Sequence, residues 1–272
     1  MLAILAPLLL AAQPPAAPAA APAAVQSRDG WSPMFNGRDL SGWYTFLQKH
    51  GKNSDPEHVI TIEDGAIHLY KHAADGSTVV MGYIATDREY GDYHVRFQYR
   101  WGEKKFEPRY ALKRDAGFYY HITGPDAVWP RALQFQVEQT NVGDLITLHG
   151  MRLETWTDPA TISKSQPTFM APDKGGQPRV MGGKGISYQR RSPDAQEREG
   201  WNTVEVVAEG DTTVHLLNGR EVNRGRGIRF VDSEAGSPAR TLTRGHIALE
   251  IEAAEIYFRN VEIRSLKAGE GR

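Results

Sequence analysis

Apolar residues recur at every second position in many short segments of this chain. In residues 93–101, Tyr93, Val95, Phe97, Tyr99 and Trp101 alternate with His94, Arg96, Gln98 and Arg100. In 115–122, Ala116, Phe118, Tyr120 and Ile122 oppose Asp115, Gly117, Tyr119 and His121. Leu133, Phe135 and Val137 oppose Gln134, Gln136 and Glu138, and Ile247, Leu249 and Ile251 oppose Ala248, Glu250 and Glu252. A period of two places alternate side chains on opposite faces of an extended strand, so each segment reads as a strand with one buried face. Val204, Val206 and Ala208 continue the pattern, residues 214–217 run into Asn218-Gly219, and 256–264 form a last strand. Asn-Gly tolerates the positive φ of a tight hairpin turn. No segment longer than about ten residues keeps a helical period. Two packed antiparallel sheets bury this many one-sided strands, so the expected fold is an all-β sandwich.

Residues 157–200 lose the alternation among Gly, Pro, Ser, Lys and Arg, including Lys174-Gly175-Gly176 and Gly182-Gly183-Lys184-Gly185. A stretch of this length is expected to be a functional or disordered loop. Its glycines do not join a strand to a helix, so they do not form a phosphate cradle, and no nucleotide cofactor is expected. At the other end, Leu2, Ile4, Leu5, Leu8, Leu9 and Leu10 precede an Ala/Pro tract. That reads as a signal peptide and spacer over residues 1–26, followed by a single sandwich domain over 27–267. The expected location is therefore outside the cytoplasm, periplasmic or secreted, with no membrane insertion of the mature domain. There is no cysteine, which removes disulfides and thiolate metal sites. Formal net charge is −1 with basic residues scattered, so nucleic acid is not an expected partner.

The polar sides of these strands are unusual. A solvated sheet face favours Lys, Glu and Thr, whereas these strands carry Arg100, Asp115, His121, Gln134, Gln136 and Glu138, with Trp129 in an intervening loop. Planar donors and acceptors beside an aromatic ring are the equipment for binding a small carbohydrate. Glu250 and Glu252 project from one side of one strand, where they repel unless solvent, a cation or a shared proton intervenes. His121, Gln136 and Glu138 are expected to line one sheet face with Trp129 at its rim.

Longer motifs add a family. Met34-Phe35-Asn36-Gly37-Arg38-Asp39-Leu40-Ser41-Gly42-Trp43 resembles the opening of exported bacterial proteins described as 3-keto-disaccharide hydrolases, or 3-keto-glucoside 1,2-lyase/hydratases. Tyr99-Arg100-Trp101-Gly102, Lys113-Arg114-Asp115-Ala116-Gly117, Tyr120-His121, Trp129-Pro130, Gly200-Trp201-Asn202 and Phe258-Arg259-Asn260-Val261 extend the likeness to the C-terminus. The resemblance implies a concanavalin-A-like jelly-roll fold and cleavage of 3-keto-glycosides. It implies His121 or Glu138, with Asp115, as the proton-transfer groups, and Arg100 or Arg114 with Gln136 on the keto and hydroxyl oxygens. Gln134 and Glu250 would contact the sugar, Trp129 would stack on it, and a divalent cation would sit on His121 and carboxylates such as Glu252. Two departures stand out. Where the family reads Glu-x-Gln after Trp-Pro this chain has Gln134-Phe135-Gln136, and where it often reads Leu-Gln near the end this chain has Leu249-Glu250. An amide cannot act as a base, so Glu138 or Glu252 would have to supply that function. The alternative reading is a non-catalytic, lectin-like sugar-binding module, which the lost glutamate favours and the Arg114-Asp115 and His121 cluster disfavours.

Overall fold

The computed structural model describes residues 30–231 and 238–266. The signal peptide and spacer assigned to residues 1–26 lie outside the described residues. The chain forms two antiparallel sheets, of eleven and nine strands among the described residues. This is the all-β, jelly-roll class of sandwich expected from the alternation.

The eleven-stranded sheet is centred on Tyr93–Lys105, which pairs with Asn202–Glu209 on one side and Ala254–Ser265 on the other. Of the apolar set read from the sequence, Tyr93, Val95, Phe97 and Tyr99 point inward and are buried, and Trp101 is half-buried. The expected hairpin closes at Asn218 and Gly219, with φ of 52° and 77°. Across the interface the Phe97 and Phe118 rings lie 5.1 Å apart, and Phe258 packs 5.8 Å from Phe97. Burying each such side chain contributes about 1.5–3 kcal/mol, which ties the two sheets together.

The nine-stranded sheet runs through neighbouring strands Ile186–Gln189, Leu145–Leu148, Leu133–Gln136, Gly117–Ile122, Arg244–Ile251, Gly82–Thr86 and Trp43–Leu47. One face packs on the core through Phe118, Tyr120, Leu133, Phe135 and Leu249. The far face carries a second apolar cluster that includes Tyr44, Tyr83, Tyr119, Ile146, Leu148 and Ala248. Covered on both sides, the strands Gly117–Ile122, Leu133–Gln136 and Leu145–Leu148 are buried at every position.

Two expectations need correction. Residues 157–200 are not a structureless loop: they contain Gln177–Gly182 and Ile186–Gln189, each an added strand on one of the two sheets. Both strands are short and their neighbours are Gly-rich, so the period of two was too brief to read. The alternation in Gly117–Ile122 also breaks. Against Arg244–Ile251, Tyr119 faces Ala248 and Ile122 faces His246, so Tyr120 and His121 together oppose Ile247. This is a β-bulge, with His121 in the left-handed region at φ 53°. Gly245 permits it, since a Cβ there would meet the His121 carbonyl carbon at 2.5 Å. One extra residue reverses the faces beyond it, and Ile122 joins the far-face cluster while His121 turns into the core.

Candidate active site

Adjacent strands bring a row of polar side chains to the far face of the nine-stranded sheet. Leu133–Gln136 contributes Gln134 and Gln136, the residues leading into Gly117–Ile122 contribute Asp115, and Arg244–Ile251 with its continuation contributes Glu250 and Glu252. Gly117 sits between Gln134 and Glu250. It has no side chain, and a Cβ added there would collide with both the Gln134 amide and the Glu250 carboxyl. The glycine therefore lets groups from strands that are not neighbours touch across it. Gln134 Nε2 donates to Glu250 Oε2 at 2.7 Å and to Gln136 Oε1 at 2.6 Å. Gln136 Nε2 in turn donates to Asp115 Oδ1 at 2.9 Å. Tyr119 donates its phenolic proton to the other oxygen of Glu250.

Arg109 faces these acids. Its guanidinium contacts Asp115 and lies 3.1 Å from Glu252 Oε1. Asp115, Glu250 and Glu252 are only 3%, 2% and 6% exposed, and Arg109 pairs directly with the first and the last of them. Burial, then repulsion from Glu252, pushes Asp115 well above the usual carboxylate range, against the pull of Arg109. Burial, then Glu252 and Asp115, pushes Glu250 up in the same way. Glu252 is also raised, mainly by burial, but Arg109, a hydrogen bond from Glu250 and one from Trp129 draw it back down. Glu250 is thus driven further toward the protonated form than Glu252, which Arg109 and the two hydrogen bonds hold nearer to the carboxylate. The two-residue spacing of Glu250 and Glu252 called for solvent, a cation or a shared proton, and the Arg109 guanidinium beside Glu252 supplies the cation.

These groups form one end of a cavity of about 300 Å³. Trp129, 40% exposed, stands on its wall. Glu138 also lines it, accepting from Asn141 Nδ2 and lying 3.7 Å from Lys113 Nζ. The other end carries Ile146, Leu148, Ile186 and Tyr188, with Gln166 and Arg190.

Of the side chains singled out in the sequence, Asp115, Trp129, Gln134, Gln136, Glu138, Glu250 and Glu252 come together here. Three do not. His121 is 0% exposed, packs edge-on 6.0 Å from Tyr93 of the opposite sheet, and has no partner at either ring nitrogen. Burial pushes it down to about 4, so it is a neutral core residue. Arg100 lies on the other sheet, with its guanidinium over the rings of Tyr257 and Trp201. Its strand does alternate, but the polar side is the outer face of the molecule. Arg114 turns into a separate cleft with Arg100, Trp101 and Glu197. Arg109, not those arginines, is the guanidinium beside the acids. It precedes the strand, where no alternation marks it, and only its position six residues before Asp115 hinted at it.

The expected cation ligands fare similarly. With His121 in the core, His121 and Glu252 cannot share an ion, and the Arg109 guanidinium sits between Asp115 and Glu252. Among the described residues no group of three or more His, Cys, Asp or Glu side chains converges as a metal cage. The donor set does not fit a divalent cation.

Fold and site define a carbohydrate-related protein: a jelly-roll sandwich with a polar cavity, an aromatic wall and buried carboxyls on one sheet. Residues 30–264 match the model of the 3-keto-alpha-glucoside-1,2-lyase-like domain, and the chain belongs to that family. Two solved structures from Parabacteroides distasonis ATCC 8503, each named as a candidate glycosyl hydrolase, share the fold. One is 18% identical with a TM-score of 0.50, covering 88% of this chain and 95% of its own. The other is 17% identical with a TM-score of 0.51, covering 87% of this chain and 99% of its own. No curated protein matches the chain.

Proposed function

We propose that this protein cleaves 3-keto-glycosides by elimination and hydration. The observation that carries this reading is the cluster of Asp115, Glu250 and Glu252, two of them paired with Arg109, at the floor of a sugar-sized cavity. Burying three carboxyls against one guanidinium costs stability, and a module that only binds sugar has no need of it.

A ketone at C3 acidifies the C2 hydrogen and places the glycosidic oxygen on C1 β to the carbonyl. Glu252, which Arg109 and hydrogen bonds hold nearest to the carboxylate form, takes the C2 proton. The C2–H electrons form the enolate, and Arg109 with the Gln136 amide offers donors to the oxygen on which charge develops. Collapse of the enolate forms the C1–C2 double bond and breaks the C1–O bond, while the protonated Glu250 gives its proton to the departing oxygen. Water then adds at C1, a proton returns to C2, and 3-keto-glucose results. One water is consumed, and no oxocarbenium ion or covalent sugar–enzyme bond is formed, unlike the two-carboxylate routes of ordinary glycosidases. The protein is further proposed to act outside the cytoplasm after export.

The test is direct. Purified protein is incubated with a 3-keto-disaccharide and with the unoxidised sugar, and release of 3-keto-glucose or glucose is followed. Release from the keto sugar alone, lowered roughly 10²–10⁴-fold in Glu252→Gln, is the expected result. Cleavage of the unoxidised sugar, or binding of the keto sugar without turnover, would overturn the reading.

A further inference from the structure

The cavity changes character along the sheet. On one side lie the acids, Arg109 and the two glutamines. One strand further out, the pairing of Leu145–Leu148 with Ile186–Gln189 sets Ile146 opposite Tyr188 and Leu148 opposite Ile186. Ile146, Leu148 and the Tyr188 ring pack in one apolar cluster, and Ile186 beside them also lines the cavity wall. Ile186 is 43% exposed, one of few large apolar residues so exposed among the described residues, and it lies on an edge strand. An exposed isoleucine alone means little, but one that lines a ligand cavity beside an apolar cluster adds to a binding surface.

Three polar side chains at this end hold one another. Arg190 donates to Asp144 and Gln166, and Asp144 also accepts the Arg191 backbone N–H at 2.8 Å. A second sugar ring placed here would set most of its hydroxyls against hydrocarbon, and each hydroxyl stripped of water without a partner costs free energy.

We propose that this half of the cavity is a subsite for an apolar aglycone, a cyclic or aromatic hydrocarbon group on the oxygen that departs from C1, rather than for a second sugar. The inference rests on the 3-keto-glycoside reading above and specifies its substrate class. The keto-sugar occupies the acidic half, and the leaving group extends over Ile146 and Tyr188 toward Ile186.

The comparison that isolates this is between a cyclohexyl 3-keto-glucoside and a 3-keto-diglucoside of the same anomeric configuration. The two leaving groups match in ring size and are both alkoxides, but one lacks hydroxyls. The expected result is about a tenfold higher kcat/KM for the cyclohexyl compound, carried mainly by KM. Ile186→Ser, on an exposed edge position that tolerates a small polar residue, should cut that ratio several-fold. Equal or better turnover of the diglucoside, with a ratio unmoved by Ile186→Ser, would overturn the proposal. If neither compound is turned over, the catalytic reading fails, and the ratio of their Kd values by calorimetry still decides the subsite: tighter cyclohexyl binding, weakened in Ile186→Ser, supports it, and the reverse removes it.

Discussion

Exchanging the carboxyl and the amide at positions 134 and 250 probes the centre of the site. In the native arrangement the Gln134 amide donates to Glu250 at 2.7 Å and to Gln136 at 2.6 Å, through space left open by Gly117. Gln134→Glu alone replaces both donors with acceptor oxygens and sets a carboxyl against the Glu250 carboxyl. A buried polar group left unsatisfied costs about 1–3 kcal/mol, so this variant should lose stability by that amount or more unless it takes up a proton. Glu250→Gln alone can turn its amide oxygen to Gln134 and its nitrogen to the Tyr119 hydroxyl, so it should cost less. In the double variant the contact is rebuilt with donor and acceptor reversed. The double-mutant cycle should therefore show a favourable coupling of about 1–3 kcal/mol by urea unfolding. Release of 3-keto-glucose should fall in both single variants and recover substantially in the double. That pattern would mean that the carboxylate the family pattern carries at position 134 has its working counterpart at Glu250. Additive stability losses with no recovery of activity would refute the coupling, and strong activation by Gln134→Glu alone would refute the assignment of the acid.

Other variants test separate parts of the site. Arg109→Gln removes the charge that holds Glu252 down, so the acid limb of the kcat/KM–pH profile should move to higher pH; an unmoved limb would mean that Glu252 is not the titrating base. Trp129→Ala should raise KM by roughly two- to tenfold, from loss of about 0.5–1.5 kcal/mol of ring stacking, with a smaller effect on kcat. His121→Asn addresses stability and keeps a residue that tolerates positive φ. The folded-state value of His121 is about 4 against 6.5 unfolded, so the unfolded chain binds the proton more readily. The resulting stability is complete above about pH 6.5 and is lost as pH falls toward 4, amounting to about 3 kcal/mol. The variant should show a shallower fall of Tm over that window than the native protein, and an identical slope would contradict the buried, neutral histidine.

Much of the fold and part of the site could be read from the chain. The alternation of 93–101 marked the central strand with the correct inward face, and Asn218-Gly219 marked the hairpin between Thr212–Leu217 and Arg220–Phe230. Gln134, Gln136, Glu250 and Glu252 could be grouped because each lies on a strand whose period of two is unbroken. His121 was misplaced because a single bulge reverses the faces, and a bulge depends on pairing with Arg244–Ile251 and on the space above Gly245, both distant in sequence. Arg100 was misplaced because alternation separates two faces without saying which of two sheets bears them. Arg109, Tyr188 and Ile186 went unread because they come from a segment without periodicity or from a strand of four residues. The role of Gly117, as an opening through which two side chains meet, is visible only once both neighbouring strands are in place.

The central claim is that the C2–H bond breaks during catalysis. Turnover of a 3-keto-disaccharide in D2O, with the product read by mass spectrometry and NMR against a control of 3-keto-glucose held in the same solvent, tests it most directly. Elimination and hydration through Glu252 and Glu250 predict 3-keto-glucose carrying deuterium at C2 from the first turnover, well above the control. Product that keeps its original hydrogen at C2, with turnover no slower for substrate carrying deuterium at C2, would show that the glycosidic bond breaks without the enolate and would contradict the account.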